Sequence, residues 1–122
     1  MNSRTFLRIM LLSGLAIPFA SAAALPDTEK KKIESLISHL ESLKGSKFNR
    51  NGKDYDPATA AKFLRGKWDA NKDSILTAKD FIAKAATKSG TTGKPYLITL
   101  KAGGPQTPCA DYLGERLKEL EK

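Results

Sequence analysis

The stretch FNRNGKDYDP, residues 48–57, holds the strongest local fold signals in the chain. Asn51 and Gly52 tolerate a positive φ, which both central residues of a tight hairpin turn require. The flanking residues predict two very short strands. Directly afterwards, Asp56 and Pro57 place a hydrogen-bond acceptor at a helix N-cap and a proline at the first helical position. The stretch therefore predicts a β-hairpin followed at once by a helix.

Helical periodicity surrounds this hairpin on both sides. Upstream, a first helix is predicted from about Thr28 to Lys44, because apolar residues recur at helical spacing at Ile33, Leu36, Ile37, Leu40 and Leu43. Downstream, the helix that starts at Pro57 continues to about Trp68 on the apolar positions Ala60, Ala61, Leu64 and Trp68. The hairpin is thus expected to lie between two amphipathic helices.

The rest of the chain alternates between helix and strand signals. Thr77 and Asp80 resemble a capping box at the start of a third helix that ends near Lys88. Residues 95–100 are β-prone and predict a third strand, and Ala102 to Thr107 is predicted as a Gly/Pro loop. Thr107 and Pro108 predict a capped start for a C-terminal helix. The order α-β-β-α-α-β-α predicts an α+β fold, in which a short antiparallel hairpin and a third strand pack with four helices.

The first 24 residues predict a cleavable secretory signal peptide. Arg4 and Arg8 give a basic start, residues 9–19 are largely apolar, and small residues at 20–24 fit cleavage after Ala22 or Ala24. The apolar run is shorter than the roughly 20 residues that cross a bilayer. Residues 25–122 are therefore expected to form a single domain in the periplasm, not spanning the membrane after cleavage.

The charge balance indicates which partners this domain would take. Without Arg4 and Arg8, 19 basic and 13 acidic residues remain, a net charge of +6. For an exported protein, anionic envelope components or other periplasmic proteins are the expected partners, rather than nucleic acid. The alternative is that this charge only keeps the protein soluble.

Several motifs of the predicted domain occur together in a known family. The set resembles the YfeK-like family of small exported bacterial proteins of unknown function, and its motifs are Phe48-x-Arg50-Asn51-Gly52-x-x-Tyr55, Ala61-x-x-Leu64-x-x-Lys67, Thr77-Ala78-x-Asp80-Phe81-Ile82 and Ser89-x-x-x-Gly93-Lys94-Pro95-Tyr96-Leu97-Ile98. The resemblance implies a single domain in the periplasm and no particular mechanism. The family's usual serine-rich stretch is replaced by Gly90, Thr91 and Thr92, which weakens any role for those serines as nucleophiles.

The loop between the second and third helices resembles an EF-hand calcium loop. Carboxylate, amide and carbonyl oxygens at its ligand positions would come from Asp69, Asn71, Asp73, Ile75 and Asp80. Ser74 replaces the glycine of the sharp turn, and Asp80 is shorter than the usual bidentate glutamate. The alternative is an ordinary helix-to-helix loop, in which Asp80 only caps the third helix.

Two further regions carry candidate binding residues. If the third strand pairs with the hairpin, one sheet surface would hold the candidate binding residues Arg50, Tyr55, Lys94 and Tyr96. In the loop from Ser89 to Lys94, Gly90 and Gly93 would let backbone N–H groups approach an anion. The spacing is not that of a Walker A loop, and a helix end followed by a turn explains it equally.

The nucleophilic residues give no catalytic signature. No serine lies in a nucleophile-elbow motif. His39 is the only histidine and Cys109 the only cysteine, so an internal disulfide and a two-histidine metal site are excluded. Cys109 is either a thiol activated by the first turn of the last helix or a small buried hydrophobe. The sequence thus favours a non-enzymatic binding module without a cofactor, with a weak calcium-binding protein and a small cell-wall hydrolase as alternatives.

Overall fold

The hairpin forms where the sequence predicts it. In the computed structural model, which describes residues 25–122, strand β1 (Lys47–Arg50) pairs with strand β2 (Lys53–Tyr55) in the register Phe48 opposite Tyr55. Asn51 and Gly52 have φ values of 55° and 82°, the left-handed values expected for this turn. The predicted signal peptide, residues 1–24, lies outside the described residues.

Four helices and two further strands complete an α+β domain. Their bounds are α1 (Asp27–Glu41), α2 (Pro57–Ala70), α3 (Ala78–Ala85), β3 (Leu97–Thr99), β4 (Gln106–Pro108) and α4 (Cys109–Leu120), with a 3₁₀ turn at Lys72–Ser74. The strands form one antiparallel sheet in the order β2-β1-β3-β4. The predicted fold class is confirmed, and so is the pairing of the third strand with the hairpin.

Strand β4 was not predicted, since the sequence placed most of it in a loop. Thr107 lies opposite Ile98 in the sheet, so its backbone is extended and its side chain does not cap α4. Helix α4 begins one residue later than expected, with Pro108 at the N-cap position. The Cys109 N–H instead donates to the Tyr96 carbonyl at 2.8 Å, which fastens the start of α4 to the sheet.

The starts of α2 and α3 are capped as predicted. The Asp56 carboxylate accepts a hydrogen bond from the Thr59 N–H at 2.8 Å, and the Thr77 hydroxyl accepts one from the Asp80 N–H at 3.0 Å. Helices α1 and α3 are about three residues shorter at their C-terminal ends than the sequence predicts. The chain leaves α3 early because the Thr87 carbonyl accepts a hydrogen bond from the Tyr96 N–H.

The core lies between one face of the sheet and the helices. Its side chains are at most 3% exposed, and they come from every helix, from β1 and β3 and from the segments beside them; the larger ones are Ile33, Leu36, Ile37, Leu40, Phe48, Leu64, Ile75, Phe81, Tyr96, Ile98, Leu113 and Leu117. The other face of the sheet carries exposed or half-buried residues such as Lys47 and Asn49. No helix in residues 25–122 is long and apolar enough to cross a membrane.

Candidate functional site

The sheet brings three of the four candidate binding residues to one face. Phe48 lies opposite both Tyr55 and Ile98, so Arg50, Tyr55 and Tyr96 all point to the side of the sheet that faces α2. Residues directly opposite in an antiparallel pair share a face. The register therefore places these three side chains on one face of the sheet, where Arg50 and Tyr55 are half-buried and Tyr96 is buried.

Cations and aromatic rings alternate where the hairpin meets α2. The Arg50 guanidinium lies 4.6 Å from the centre of the Phe63 ring, and the Lys53 ammonium 5.4 Å from the centre of the Tyr55 ring. The Tyr55 and Phe63 rings meet edge to face at 4.8 Å. Each cation over an exposed ring is stabilised by about 0.5–1 kcal/mol. Arg50, Lys53, Tyr55 and Phe63 are called the cation–aromatic face below.

Tyr96 is buried. Its side chain is 1% exposed, and the centre of its ring lies 5.1 Å from the centre of the Phe48 ring. Lys67 of α2 lies over the ring at 5.1 Å and donates to the Tyr96 hydroxyl at 3.3 Å and to the Lys88 carbonyl at 2.8 Å. The register places Tyr96 on the predicted face, but this part of the face packs into the core, so the side chain is not exposed as the prediction assumed.

Lys94 lies in an exposed loop that is attached to the hairpin. The Thr92 hydroxyl of this loop donates a hydrogen bond to the Asn51 side chain in the hairpin turn. Lys94 follows Thr92 by two residues and its backbone N–H donates to the Thr92 hydroxyl, so the Lys94 backbone lies close to the turn and its side chain is exposed. Three of the four candidate residues, Arg50, Tyr55 and Lys94, are thus available at the hairpin end of the sheet.

Four of the six backbone N–H groups in this loop are engaged within it. The N–H groups of Ser89, Thr91, Gly93 and Lys94 donate to the Lys94 carbonyl, the Ser89 hydroxyl, the Ser89 carbonyl and the Thr92 hydroxyl. A phosphate cradle needs such groups free to point at the ligand. Most of the loop backbone therefore stabilises the turn that the alternative interpretation of the sequence predicts.

The cations around this face have no carboxylate partner. Arg50, Lys53, Lys67 and Lys94 are absent from the five ion pairs found within residues 25–122. Among the described residues, these four side chains therefore have no carboxylate within ion-pair distance, which favours an anionic partner.

Two of the calcium-loop side chains are engaged in local structure, while those of Asp69 and Asp73 are exposed. The Asn71 side-chain amide donates to the Lys67 carbonyl at 2.8 Å. The Asp80 carboxylate accepts from the Leu76 N–H at 3.0 Å, and Ile75 is fully buried. Within residues 25–122, no three His, Cys, Asp or Glu side chains are grouped in a way that could hold a metal ion.

We therefore expect the same melting temperature in calcium and in chelator. A native-state site saturated to about 100 times its dissociation constant would add roughly 2.7 kcal/mol to the free energy of unfolding. For a domain of this size that is a rise on the order of 10 °C. Differential scanning fluorimetry in both buffers measures it, and a rise that chelator reverses would restore the calcium hypothesis for Asp69, Asn71, Asp73 and Asp80.

A third cluster was missed by sequence reasoning because its members are distant in the chain. The His39 ring nitrogen Nε2 lies 2.7 Å from the Tyr112 hydroxyl, and the two rings stack. Burial lowers the pKa of His39, and the nearby Arg116 guanidinium lowers it further. The single histidine is thus paired with a tyrosine, rather than with the serine that a hydrolytic triad requires.

Comparisons with known proteins agree on the family. The family described as "Family of unknown function (DUF5329)" matches residues 27–121. A protein of Salmonella typhimurium, "Uncharacterized protein YfeK", is 37% identical over 68 residues, which cover 56% of this chain and 57% of that protein. The aligned region therefore spans little more than half of the relative. No solved structure matches the chain. Because the family match covers the whole domain from α1 to α4, the chain belongs to the DUF5329 family, as the YfeK-like resemblance of its motifs predicts.

Proposed function

We propose that this protein is a periplasmic, non-enzymatic binding module whose cation–aromatic face holds an anionic component of the cell envelope. The observation that carries the proposal is the pair of cations at the hairpin, Arg50 and Lys53, which lie over aromatic rings and take part in none of the ion pairs found within residues 25–122. Phosphate or carboxylate groups of a ligand would supply the missing negative charge. The basic and apolar character of residues 4–19 supports export.

The rigidity of the face also supports binding. Arg50 and Lys53 lie directly opposite each other beside the hairpin turn, and the Asn51 and Gly52 conformations fix that turn. The Arg50 guanidinium lies over the Phe63 ring, and the Lys53 ammonium lies over the Tyr55 ring. Since these side chains are partly ordered before a ligand arrives, less conformational entropy is lost on binding. A protein partner with an acidic surface is the second candidate, because the same charges would attract it.

Sedimentation with isolated envelope material tests the proposal. We expect the purified protein to sediment with lipopolysaccharide aggregates or with peptidoglycan sacculi. Lipopolysaccharide offers phosphate groups and peptidoglycan offers stem-peptide carboxylates, so the two samples distinguish the two kinds of anion. The triple variant Arg50→Ala/Lys53→Ala/Lys94→Ala should bind about 100-fold more weakly, at roughly 1 kcal/mol for each basic residue near an anionic surface. Lys67 is left intact because its hydrogen bonds support the fold.

A matched control separates the face from net charge. The variant Lys31→Ala/Lys44→Ala/Lys79→Ala removes the same charge from exposed positions outside the face. We expect it to bind only a few-fold more weakly than the unmodified protein, through lost long-range attraction. Equal losses of affinity in the two variants would show that binding depends on net charge alone. Absence of binding to both materials would reject the envelope proposal, and capture of an acidic protein by the face alone would favour the second candidate.

A further inference from the structure

A groove on the opposite side of α2 has different chemistry. It lies between the start of α1 and the end of α2, has a volume of about 540 Å³, and contains Leu25, Asp27, Lys30, Arg65, Trp68, Asp69, Lys72 and Asp73. This volume lies within the range typical of small-ligand sites. Its wall consists of helices and the 3₁₀ turn, with no strand of the sheet.

Trp68 gives the groove a fixed aromatic surface. The indole ring is half-buried and meets the Phe81 ring edge to face at 6.0 Å. Phe81 is fully buried, so this contact holds the indole against the core. Trp68 also lines the groove, so its half-buried indole supplies an aromatic part of the groove wall.

The charges around Trp68 balance, unlike those of the whole domain. Three aspartates and three basic residues surround the groove, so its formal charge is zero. Arg65 is paired with Glu34 at 2.6 Å, and the other five are in none of the ion pairs within residues 25–122. The groove therefore presents free acceptors and free donors together, which a neutral ligand rich in hydroxyl groups can satisfy at the same time.

We infer that the Trp68 groove binds a neutral oligosaccharide. The C–H face of a pyranose ring stacks on the indole, its hydroxyls donate to Asp69 and Asp73, and other hydroxyls accept from Lys30 and Lys72. A peptide that binds by strand addition fits less well, because no residue of the sheet lines the groove. This inference is independent of the cation–aromatic face, since it uses none of the same residues.

The sole tryptophan of the chain makes the test direct. Trp68 is the only tryptophan, so its emission reports on this groove alone. We expect triacetylchitotriose, a neutral trisaccharide, to change the emission saturably, with a Kd on the order of 1 mM. Calorimetry at the same concentrations gives the affinity independently of fluorescence. An acetylated and amidated tetra-alanine peptide is the parallel probe for the competing ligand class.

Substitutions at the groove decide whether the response is specific. Asp69→Asn/Asp73→Asn changes two exposed carboxylates and should weaken trisaccharide binding about tenfold or more, because charge-assisted hydrogen bonds are lost. The control Glu41→Gln/Asp111→Asn removes the same charge elsewhere and should leave binding unchanged. No saturable response to the trisaccharide, equal weakening in both variants, or binding of the peptide alone would each overturn the inference.

Discussion

Replacing Phe81 by alanine should lower the free energy of unfolding by about 3–5 kcal/mol. The Phe81 side chain is completely buried and contacts the Trp68 ring, and it is the largest core residue of the eight-residue helix α3. Alanine would leave a cavity that the surrounding helices fill only partly. Since small domains are stable by only about 5–15 kcal/mol, this is a large fraction of the total. Urea unfolding followed by circular dichroism measures the change.

A second variant in the same helix serves as the control for Phe81. Ile82 is half-buried, so Ile82→Ala should cost only about 1–2 kcal/mol. The melting temperature should fall by roughly 15 °C or more for Phe81→Ala, and by much less for Ile82→Ala. A loss for Phe81→Ala no larger than that for Ile82→Ala would contradict the central position of Phe81 in the core.

The thiol of Cys109 should be unreactive in the folded protein. Cys109 is 0% exposed, and burial raises its pKa from 9.0 to about 12. At a given pH below both values, the thiolate population is roughly a thousandfold smaller than for the unshifted group, and only the thiolate is a good nucleophile. Titration with an aromatic disulfide reagent at pH 8 should therefore show almost no reaction until denaturant is added, and then one thiol per chain.

An exposed cysteine calibrates this measurement. In Cys109→Ala/Ser38→Cys, the thiol lies on the exposed side of α1 and should react within the mixing time of an ordinary assay. Rapid reaction of Cys109 in the unmodified protein would mean that α4 opens frequently. Of the two sequence interpretations, the structure supports the small buried hydrophobe, because α4 packs with this side chain inward.

The features that the sequence predicted well are those that neighbouring residues determine. The Asn51-Gly52 turn and the Asp56 and Thr77 caps depend on contacts within four residues, and each forms as expected. Strand β4 is different, because only its pairing with β3 makes it a strand. Its three residues include a proline and carry no alternating pattern. Pairing across the loop at 100–105 makes this segment a strand, and its own residues carry no signal that predicts the pairing.

In the candidate site, too, the features set by neighbouring residues were predicted and those set by tertiary packing were not. Arg50 and Tyr55 were found because the hairpin register follows from its turn. Phe63 and Lys67 were missed, although they lie four residues apart and thus on one side of α2. The apolar residues of α2 predicted which side of the helix faces the core. They did not predict that Phe63 would lie under the Arg50 guanidinium. The burial of Tyr96 was not predicted, because it depends on how the helices pack against β3.

The two outer strands of the sheet have a consequence for how the protein behaves when crowded. Strands β2 and β4 have three residues each; β2 carries Lys53 and Asp54, and β4 ends at Pro108, which has no N–H to donate. Short, charged or proline-containing edges are poor templates for a further strand. An unfolded neighbour or a fibril end therefore finds few free backbone groups to pair with, and aggregation by strand addition is disfavoured even at high local concentration.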